Sequence, residues 1–278
     1  ILAEMAKEDS QNNDILVELS QTLEKIEKLV DDIKGCSLLS FDIETTQLDP
    51  VEADIAGFAL SLKENQGYYI PIIFPDKDSI PGYNLDLVSV LNTFKMILED
   101  ESVKKCGQNL KYDSLILKRH GISLKGIEFD SMIAEHILHP EKNSYKLDNL
   151  SIEYLGYEMQ PIEELIGSGK EQISMADVPV EKVSFYASED ADIALQLSNK
   201  IKPLISKSKL EKPYFDIELP LIPVLVEMEN SGVFVDKEIL SELSLEVDEK
   251  ISILEKNIFS ISNREFNLNS PKQLAVVL

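Results

Sequence analysis

Three apolar runs follow one another early in the chain and constrain its fold more than any other feature. LLSFDI, DIAGFALSL and GYYIPII have the length and composition of buried strands, and the turn sequence KENQG separates the last two. We therefore predict three successive strands that form a meander.

Most of the remaining sequence has the apolar spacing of helices. Apolar residues from Ile15 to Ile33 recur at helical intervals up to Gly35, and further helices are predicted over 85–99 and over NLKYDSLILKRHG. VKKCG between them is predicted as a short strand. Later helices are predicted over SMIAEHIL, LDNLSIEYLG and PVEKVSFYASEDADIALQLSNKI. Along the chain, the predicted elements are first strands, then strands and helices mixed, and then helices. This order predicts an α/β fold whose mixed sheet is flanked by helices.

A second, helical unit is expected to begin near Lys209. DIELPLIPVLVEMENSG is predicted as a helix bent or started by its prolines, a long amphipathic helix follows, and Ser270-Pro271 supplies an N-cap and first position for another. We therefore divide the chain into a domain over 1–208, with 1–14 as a poorly ordered lead-in, and a helical segment over 209–278. The unfinished last helix and a first residue other than Met indicate part of a longer protein.

The charge balance bears on the partners of the chain. The formal net charge of −23 argues against a protein that holds nucleic acid by the attraction of its whole surface, because phosphate contact depends on Lys and Arg. The stretch 102–126 reverses this balance, with Asp113 as its single acid. Its basic residues are Lys104, Lys105, Lys111, Lys118, Arg119 and Lys125. The stretch is either a solvated helix face or a guide for a nucleic-acid end.

The sequence also excludes several classes of protein. With 44% hydrophobic residues the 278-residue chain can form a proper core, but no apolar run reaches the length of a membrane span and no secretion signal opens the chain. Cys36 and Cys106 lie far apart and indicate neither a disulfide framework nor a zinc site. We expect a cytoplasmic protein with reduced cysteines and no membrane contact.

Two acids in the first predicted strand are candidates for chemistry. Asp42 and Glu44 lie two apart, so both side chains project from one face. Their neighbours are apolar, and a buried carboxylate is costly unless it is hydrogen-bonded, paired or bound to a cation. On spacing alone, a strand end at which both acids reach water is the better explanation.

Three further residues extend this set. Asp113 lies in the first turn of a predicted helix, where an acid also complements the helix dipole, and Tyr186 and Asp190 lie four apart on one helix face. Each alone has an ordinary structural explanation. Together the four carboxylates are a suitable oxygen ligand set for two Mg²⁺ or Mn²⁺ ions, with a Tyr hydroxyl to orient the attacking water. His136 and His139 lack an evident third ligand and are expected at the surface.

The segments around these residues resemble three motifs of the proofreading 3′→5′ exonuclease domain of the bacterial DNA polymerase I family (family A). FDIETTQLDP carries Asp42 and Glu44, GQNLKYDSLILKRHGI carries Asp113, and YASEDAD carries Tyr186 and Asp190. YIPI and FDSMIAEHILHP are also similar. IELPLIPVLVEMENSGVFVD and FNLNSPKQL resemble the start of the polymerase domain, so the resemblance covers nearly the whole chain.

The resemblance implies a ribonuclease H-like fold and a role for each residue. Asp42, Glu44 and Asp190 would bind the ion that activates water, Asp42 would bridge to a second ion with Asp113 acting through water, and Tyr186 would position the nucleophile. The 3′ strand would contact Thr45, Leu48, Gln108, Asn109, Tyr112 and Ile162. Among these, Leu48 would wedge against the terminal bases, and Thr45 would approach the last nucleotide through its backbone.

Two positions depart from the family's pattern. Ile162 stands where an aromatic partner of the Leu48 wedge is usual, and Ser144 stands where an Arg is usual. Base stacking on an aromatic side chain contributes about 1–3 kcal/mol per base. Weaker single-strand binding without loss of the metal chemistry is therefore expected.

The implied activity is hydrolysis of the 3′-terminal phosphodiester of DNA at single-stranded or frayed ends. The implied setting is a nucleoid-associated polymerase whose remaining domains are partners in cis. No polymerase catalytic motif is present, so no DNA synthesis is expected. Two alternatives remain open: an inactive exonuclease-fold module that supports a polymerase, and an exonuclease for RNA 3′ ends.

Overall fold

The computed structural model describes residues 15–75, 77 and 80–278, so the predicted lead-in over 1–14 lies outside the described residues. The centre of the described part is a six-stranded sheet in the order β1-β4-β3-β2-β5-β6. Its strands are β1 (Leu16–Leu19), β2 (Leu39–Thr45), β3 (Ile55–Lys63), β4 (Gln66–Pro71), β5 (Lys105–Gly107) and β6 (Ile127–Asp130). The strands β2, β3 and β4 form the predicted meander with antiparallel pairing, whereas the β1–β4, β2–β5 and β5–β6 pairs are parallel.

Helices cover both faces of this mixed sheet. One face packs against α1 (Leu23–Gly35), α2 (Leu87–Leu98) and α3 (Leu110–Arg119). The other face packs against α4 (Ser131–Leu138), α5 (Leu147–Leu155) and the long α7 (Val180–Lys207), and α6 (Glu163–Ile166) lies in the connection before α7. The predicted α/β fold class is confirmed.

The first strand corrects the sequence prediction. Helical spacing from Ile15 onward predicts one continuous helix, but Leu16–Leu19 forms an edge strand parallel to β4, and α1 begins only at Leu23. The hydroxyl of Thr22 caps that helix by accepting a hydrogen bond from the Lys25 backbone N–H at 3.3 Å. An apolar segment as short as this does not distinguish a helix from a strand, and pairing with a distant strand decides between them.

The helical stretch after α7 packs back onto the sheet domain. It begins with a short helical turn over Glu211–Pro213, becomes π-helical over Tyr214–Glu218 and continues as α8 (Leu219–Ser231), which packs against α3. The Tyr214 ring is fully buried. Its hydroxyl accepts from the Asp130 backbone N–H at 2.8 Å and lies 3.1 Å from the Asp130 carbonyl oxygen, to which it donates. This stretch therefore contacts the end of β6 through Tyr214 and contacts α3 through α8.

The chain forms two compact units, Ile1–Ser231 and Gly232–Leu278. The second unit consists of α9 (Lys237–Ser262) and α10 (Pro271–Val277), with contact between the Phe259 and Phe266 rings at 5.8 Å. Residues 209–231 belong to the first compact unit, and the predicted functional division at 208/209 stays a prediction. No helix in the described part of the chain is long and apolar enough to cross a membrane.

Candidate active site

The strand β2 presents Asp42 and Glu44 to the face that α7 covers. Residues alternate across a strand, so Phe41 and Ile43 enter the core beneath α1 and α2 while the two acids point the other way. Opposite these acids on β3 the residues are small, with Asp42 paired to Ala59 and Glu44 paired to Gly57. The alternation of apolar and acidic residues thus gives the strand one apolar face and one acidic face.

Small residues let α7 approach the sheet closely. A Cβ atom added to Gly67 on β4 would lie 2.4 Å from the Ser188 Cβ and 2.9 Å from the Ser188 carbonyl oxygen. Ala187 and Ala191 on the same helix pack with Ala59 and Tyr69 of the sheet. This close contact places the neighbouring Asp190 beside the acids of β2.

Three of the four predicted metal ligands form one cluster. One carboxylate oxygen from each of Asp42, Glu44 and Asp190 can be chosen so that all three lie within 4.8 Å of one another. Asp113, in the first turn of α3, approaches from the side, and its Oδ1 accepts a hydrogen bond from the Ile43 backbone N–H at 3.0 Å. A strand and two helices far apart in sequence therefore bring all four acids together.

Burial makes this cluster electrostatically unfavourable without a cation. Burial raises the pKa of Asp42 from its ordinary value of 3.8 to about 6. Burial, with the added repulsion of the Asp42 carboxylate, raises the pKa values of Glu44, Asp113 and Asp190 well above their usual ranges. Hard carboxylate oxygens whose mutual repulsion is unrelieved are a donor set suited to Mg²⁺ or Mn²⁺.

Tyr186 lies one helical turn before Asp190 and hydrogen-bonds to it. The phenolic hydroxyl donates to the Asp190 carboxylate, which partly offsets the rise in the pKa of Asp190. Burial raises the pKa of Tyr186 itself, and the charges of Asp190 and Glu44 raise it further. Tyr186 is therefore a neutral donor whose hydroxyl faces the acidic cluster.

The segment after β2 is held by α3. The hydroxyl oxygens of Thr45 and Tyr112 lie 2.9 Å apart, and each lies 3.0 Å from the Gln47 carbonyl oxygen, which can accept from either hydroxyl. Farther along, Arg119 donates to the carbonyl oxygens of Pro50 and Ala53. These contacts fix a loop that carries Leu48, whose side chain is 88% exposed.

An open cavity of about 560 Å³ lies over the acids. Its wall contains all four acids together with Tyr186, and also Gln108, Asn109, Tyr112, Met132, Asn143, Ser144, Tyr145 and Lys146. Of the predicted strand-contact residues, Gln108, Asn109 and Tyr112 therefore line this cavity, whereas Thr45, Leu48 and Ile162 do not. Ile162 is 37% exposed at the N-terminus of α6.

Sequence reasoning missed two buried acids that hold the elements around this cavity. Asp130 is fully buried and accepts hydrogen bonds from the backbone N–H groups of Leu110, Met132 and Ile133, so it orients the start of both α3 and α4. Glu135 is also fully buried and binds Lys142 at 2.6 Å. An acid after an apolar strand segment was the available signal for Asp130. For Glu135 the sequence carries no such signal.

Most basic side chains of the stretch over 102–126 bind other groups of the protein. Lys105 is buried, and its ammonium donates to the Asp100 carbonyl oxygen at 2.7 Å. Lys111 and Lys118 form ion pairs with Glu229 and Glu227 of α8. Arg119 donates to backbone carbonyl oxygens. Most cations of the proposed guide for a nucleic-acid end are therefore already bound to protein groups.

The histidines and cysteines stand apart from the acidic cluster. The His136 ring packs edge-on against Tyr145, and His139 lies 3.5 Å from Glu141 on an exposed loop. Cys36 is half-buried and Cys106 is buried, and both are free thiols. Ser144 accepts a hydrogen bond from Asn149 at 3.0 Å at the cavity wall.

A mixed sheet whose central strand and flanking helices gather four carboxylates beneath an open cavity defines a nuclease of the ribonuclease H-like class. Comparison with family models agrees: the model described as 3′-5′ exonuclease, of family A DNA polymerases, matches residues 17–206. The chain belongs to this family.

Curated relatives narrow the family further. DNA polymerase I of Rhizobium leguminosarum is 35% identical over 268 residues, which cover 91% of this chain and 26% of the relative. DNA polymerase I of Pseudomonas aeruginosa is 34% identical over 249 residues, which cover 88% of this chain and 27% of the relative. The chain is thus an exonuclease domain of the DNA polymerase I type, and it spans about a quarter of the length of the relatives it matches.

Solved structures share the fold. The POL domain of Pol1 from M. smegmatis, in complex with DNA primer-template and dNTP, matches 94% of this chain and 40% of its own chain with a TM-score of 0.74 and 21% identity. Brucella melitensis NrnC matches 78% of this chain and 94% of its own chain with a TM-score of 0.59 and 17% identity. At these identities both structures support the fold alone.

Proposed function

We propose that this chain hydrolyses the 3′-terminal phosphodiester of DNA with two divalent metal ions, Mg²⁺ or Mn²⁺, and releases a nucleoside 5′-monophosphate. One observation carries the proposal: one carboxylate oxygen from each of Asp42, Glu44 and Asp190 lies within 4.8 Å of the other two, beneath an open cavity. The relation to DNA polymerase I favours DNA as the substrate and the remaining polymerase domains as partners in cis, near the nucleoid.

The proposed roles follow from where each acid lies. Besides burial, the charge of Asp42 raises the pKa of each of the other three acids, so Asp42 is the candidate bridging ligand, with Glu44 and Asp190 completing one metal site. Asp113 is tied to the Ile43 backbone and lies at the edge of the cluster, which suits contact to the second ion through water. Two bound ions would supply the charge that activates water and stabilises the leaving oxygen.

Tyr186 is proposed to orient the attacking water. Its hydroxyl faces the cluster through Asp190 and stays protonated at neutral pH, because burial and the adjacent acids raise its pKa. A neutral hydroxyl can donate to one oxygen and accept from another, which fixes the direction of a water lone pair. Because this role requires only orientation, removal of the hydroxyl should slow hydrolysis without removing the metal sites.

The bound 3′ strand is proposed to enter along the cavity wall that α3 forms. Asn109 and Tyr112 face the cavity, and Gln108 is held in place by its amide contact to the Tyr145 carbonyl oxygen at 2.7 Å. The exposed Leu48 remains the candidate wedge against terminal bases, with Ile162 as its candidate partner and Thr45 as a backbone contact. Single-stranded or frayed ends should be preferred, because a paired end must first unwind.

Nucleotide release from a 3′-labelled oligodeoxynucleotide in Mg²⁺ or Mn²⁺ tests the proposal. Release should be abolished by Asp42→Ala or Asp190→Ala, and the exposed Glu52→Ala, in the loop after β2, serves as a control of equal charge change. A folded wild-type chain that released nothing in either metal would disprove the proposed activity. We also propose that the 278 residues carry nuclease activity without polymerase activity, so primer extension should be absent.

Two alternatives predict different results. An inactive structural module would bind no paired ions, so Mn²⁺ titration followed by electron paramagnetic resonance should show coupled ions only for an active nuclease. An RNA exonuclease would degrade RNA in preference to DNA when both labelled oligonucleotides compete in one reaction. Convergence of all four acids favours an active enzyme over the inactive module.

A further inference from the structure

We propose that Lys146 is the strand-binding cation of this site and contacts a phosphate of the bound nucleic acid; this rests on the proposed nuclease function. Among the described residues that line the cavity over the acids, Lys146 is the one basic side chain. It also lines the adjoining smaller cavity of about 190 Å³, together with Asp42, Tyr186 and Asp190. A phosphodiester entering toward the acids passes this lysine.

The ammonium of Lys146 is available for a ligand. It is exposed, and within residues 15–75, 77 and 80–278 it makes neither an ion pair nor a side-chain hydrogen bond. Three cations of the stretch over 102–126 are occupied by protein partners instead: Lys105, Lys111 and Lys118. No carboxylate of the described residues forms an ion pair with Lys146, so this lysine is poorly explained as a stabilising surface charge.

The backbone around Lys146 is held in place, which gives the lysine a defined location. The Tyr145 carbonyl oxygen accepts from the Gln108 amide at 2.7 Å, and the Tyr145 hydroxyl donates to the His139 carbonyl oxygen at 3.1 Å. Lys142 binds the fully buried Glu135 at 2.6 Å. The contacts of Gln108 and Lys142 fasten the segment over 139–146 to the end of β5 and to α4, so Lys146 projects from an anchored wall.

The charge balance of the site explains why one cation matters. Two divalent ions would balance the four carboxylates, which leaves no excess positive charge for the phosphates of the strand. The remainder of the chain is strongly acidic, with a net charge of −23, and repels a polyanion. A local cation at the cavity wall therefore contributes to strand affinity in a way that a distant lysine does not.

Steady-state nucleotide release at several NaCl concentrations tests this role. Lys146→Gln should raise the KM for a single-stranded oligodeoxynucleotide about five- to tenfold with little change in kcat, and it should reduce the slope of log(kcat/KM) against log[NaCl] by about 0.7, the value for one phosphate contact. Lys146→Arg should restore most of the affinity. The matched control is Lys200→Gln, an exposed lysine of α7 about 15 Å along the helix from Asp190.

The outcomes separate the inference from the function on which it rests. If Lys146→Gln and Lys200→Gln behave alike, or if only kcat falls, Lys146 is not a strand-binding residue although the chain is still a nuclease. If the wild type releases no nucleotide, both proposals fail. Thermal melts and Mn²⁺ affinity of Lys146→Gln should match the wild type, because the lysine is exposed and contacts no metal ligand.

Discussion

Four carboxylates in one small volume impose a cost on folding that a bound cation would remove. Asp42, Glu44, Asp113 and Asp190 each have a raised pKa, because burial and mutual repulsion disfavour their charged forms. Such a cluster is typical of a functional site, since a site selected only for stability would bury apolar residues there.

The stabilisation that metal gives should depend strongly on pH. The pKa of Asp42 is raised from 3.8 to about 6. Between these two pH values the metal-free folded state holds a proton that the unfolded state has released. The contribution of Asp42 to the free energy of unfolding therefore falls as the pH rises through this range. Metal binding requires the ionised acids and reverses this loss. Adding Mn²⁺ should raise the Tm by roughly 5 °C or more at pH 7.5 and by far less at pH 5.

Differential scanning calorimetry at the two pH values, with and without EDTA, measures this effect. Asp190→Asn is the matched variant, because it removes one charge of the cluster and one ligand. This variant should be more stable than the wild type without metal at pH 7.5 and should gain little from Mn²⁺. Equal Tm shifts for both proteins at both pH values would contradict the idea that the cluster binds metal.

Removal of the Tyr186 hydroxyl should separate water orientation from metal binding. Tyr186→Phe should lower kcat about 10- to 100-fold, because the attacking water loses the hydroxyl oxygen that orients it while the carboxylates remain. The hydroxyl also lowers the pKa of Asp190, so the acid limb of the pH–rate profile should move to higher pH. Unchanged kcat with an unchanged pH profile would show that Tyr186 has only a packing role.

At the scale of elements, the distance between α7 and the sheet sets the geometry of the site. Gly67 of β4 and Ser188 of α7 are in direct contact, and the Tyr69 ring occupies the space beside Gly57, where an added Cβ would lie 2.2 Å from the Tyr69 hydroxyl oxygen. The absence of a side chain at both glycines allows this close packing. Asp190 and the acids of β2 converge as a consequence, since they project from the packed elements.

Gly67→Ala should therefore weaken both stability and activity. The new methyl group would overlap Ser188 and force α7 away from β4, at an expected cost of about 1–3 kcal/mol in the free energy of unfolding. Metal affinity should fall as well, because Asp190 moves with the helix. Urea unfolding and Mn²⁺ titration measure the two effects.

Gly35→Ala is the control for this substitution. Gly35 ends α1, and an added Cβ there has no heavy atom within 4 Å. Its stability should stay the same or rise slightly, with unchanged metal affinity. If Gly67→Ala matched this control, close packing of α7 on β4 would not determine the metal site.

At the scale of the whole molecule, all residues of the candidate site belong to the first compact unit, Ile1–Ser231. Residues 209–231 contribute to that unit through the buried side chains of Tyr214, Ile222 and Val226. The link from the Tyr214 hydroxyl to Asp130, and from Asp130 to the Leu110 backbone, reaches the start of α3 and so the helix of Asp113.

Two truncations should have opposite consequences. A chain that ends at Ser231 should keep its metal affinity and nucleotide release, because every cavity residue remains. A chain that ends at Ser208 should lose several kcal/mol of stability, since it exposes the surface that Tyr214, Ile222 and Val226 cover. Urea unfolding and nucleotide release for both chains test this, and equal stability would place the structural boundary at 208/209.

The sequence by itself determined the meander, most helices and the identity of the acids. Alternation along β2 requires Asp42 and Glu44 to share a face, and helical spacing requires the same of Tyr186 and Asp190. These periodicities are local, so they can be seen without the fold. The order of the motifs then indicated a family that the comparisons confirmed.

Only the tertiary structure decided which of these local features meet, because packing and pairing depend on residues far apart in sequence. Leu16–Leu19 is a strand because it pairs with β4. Lys105, Lys111 and Lys118 bind partners that no local sequence pattern reveals. The tertiary structure brought Asp190 within 4.8 Å of the β2 acids because small residues let α7 lie against the sheet. It also left Lys146 as the unpaired cation at the cavity.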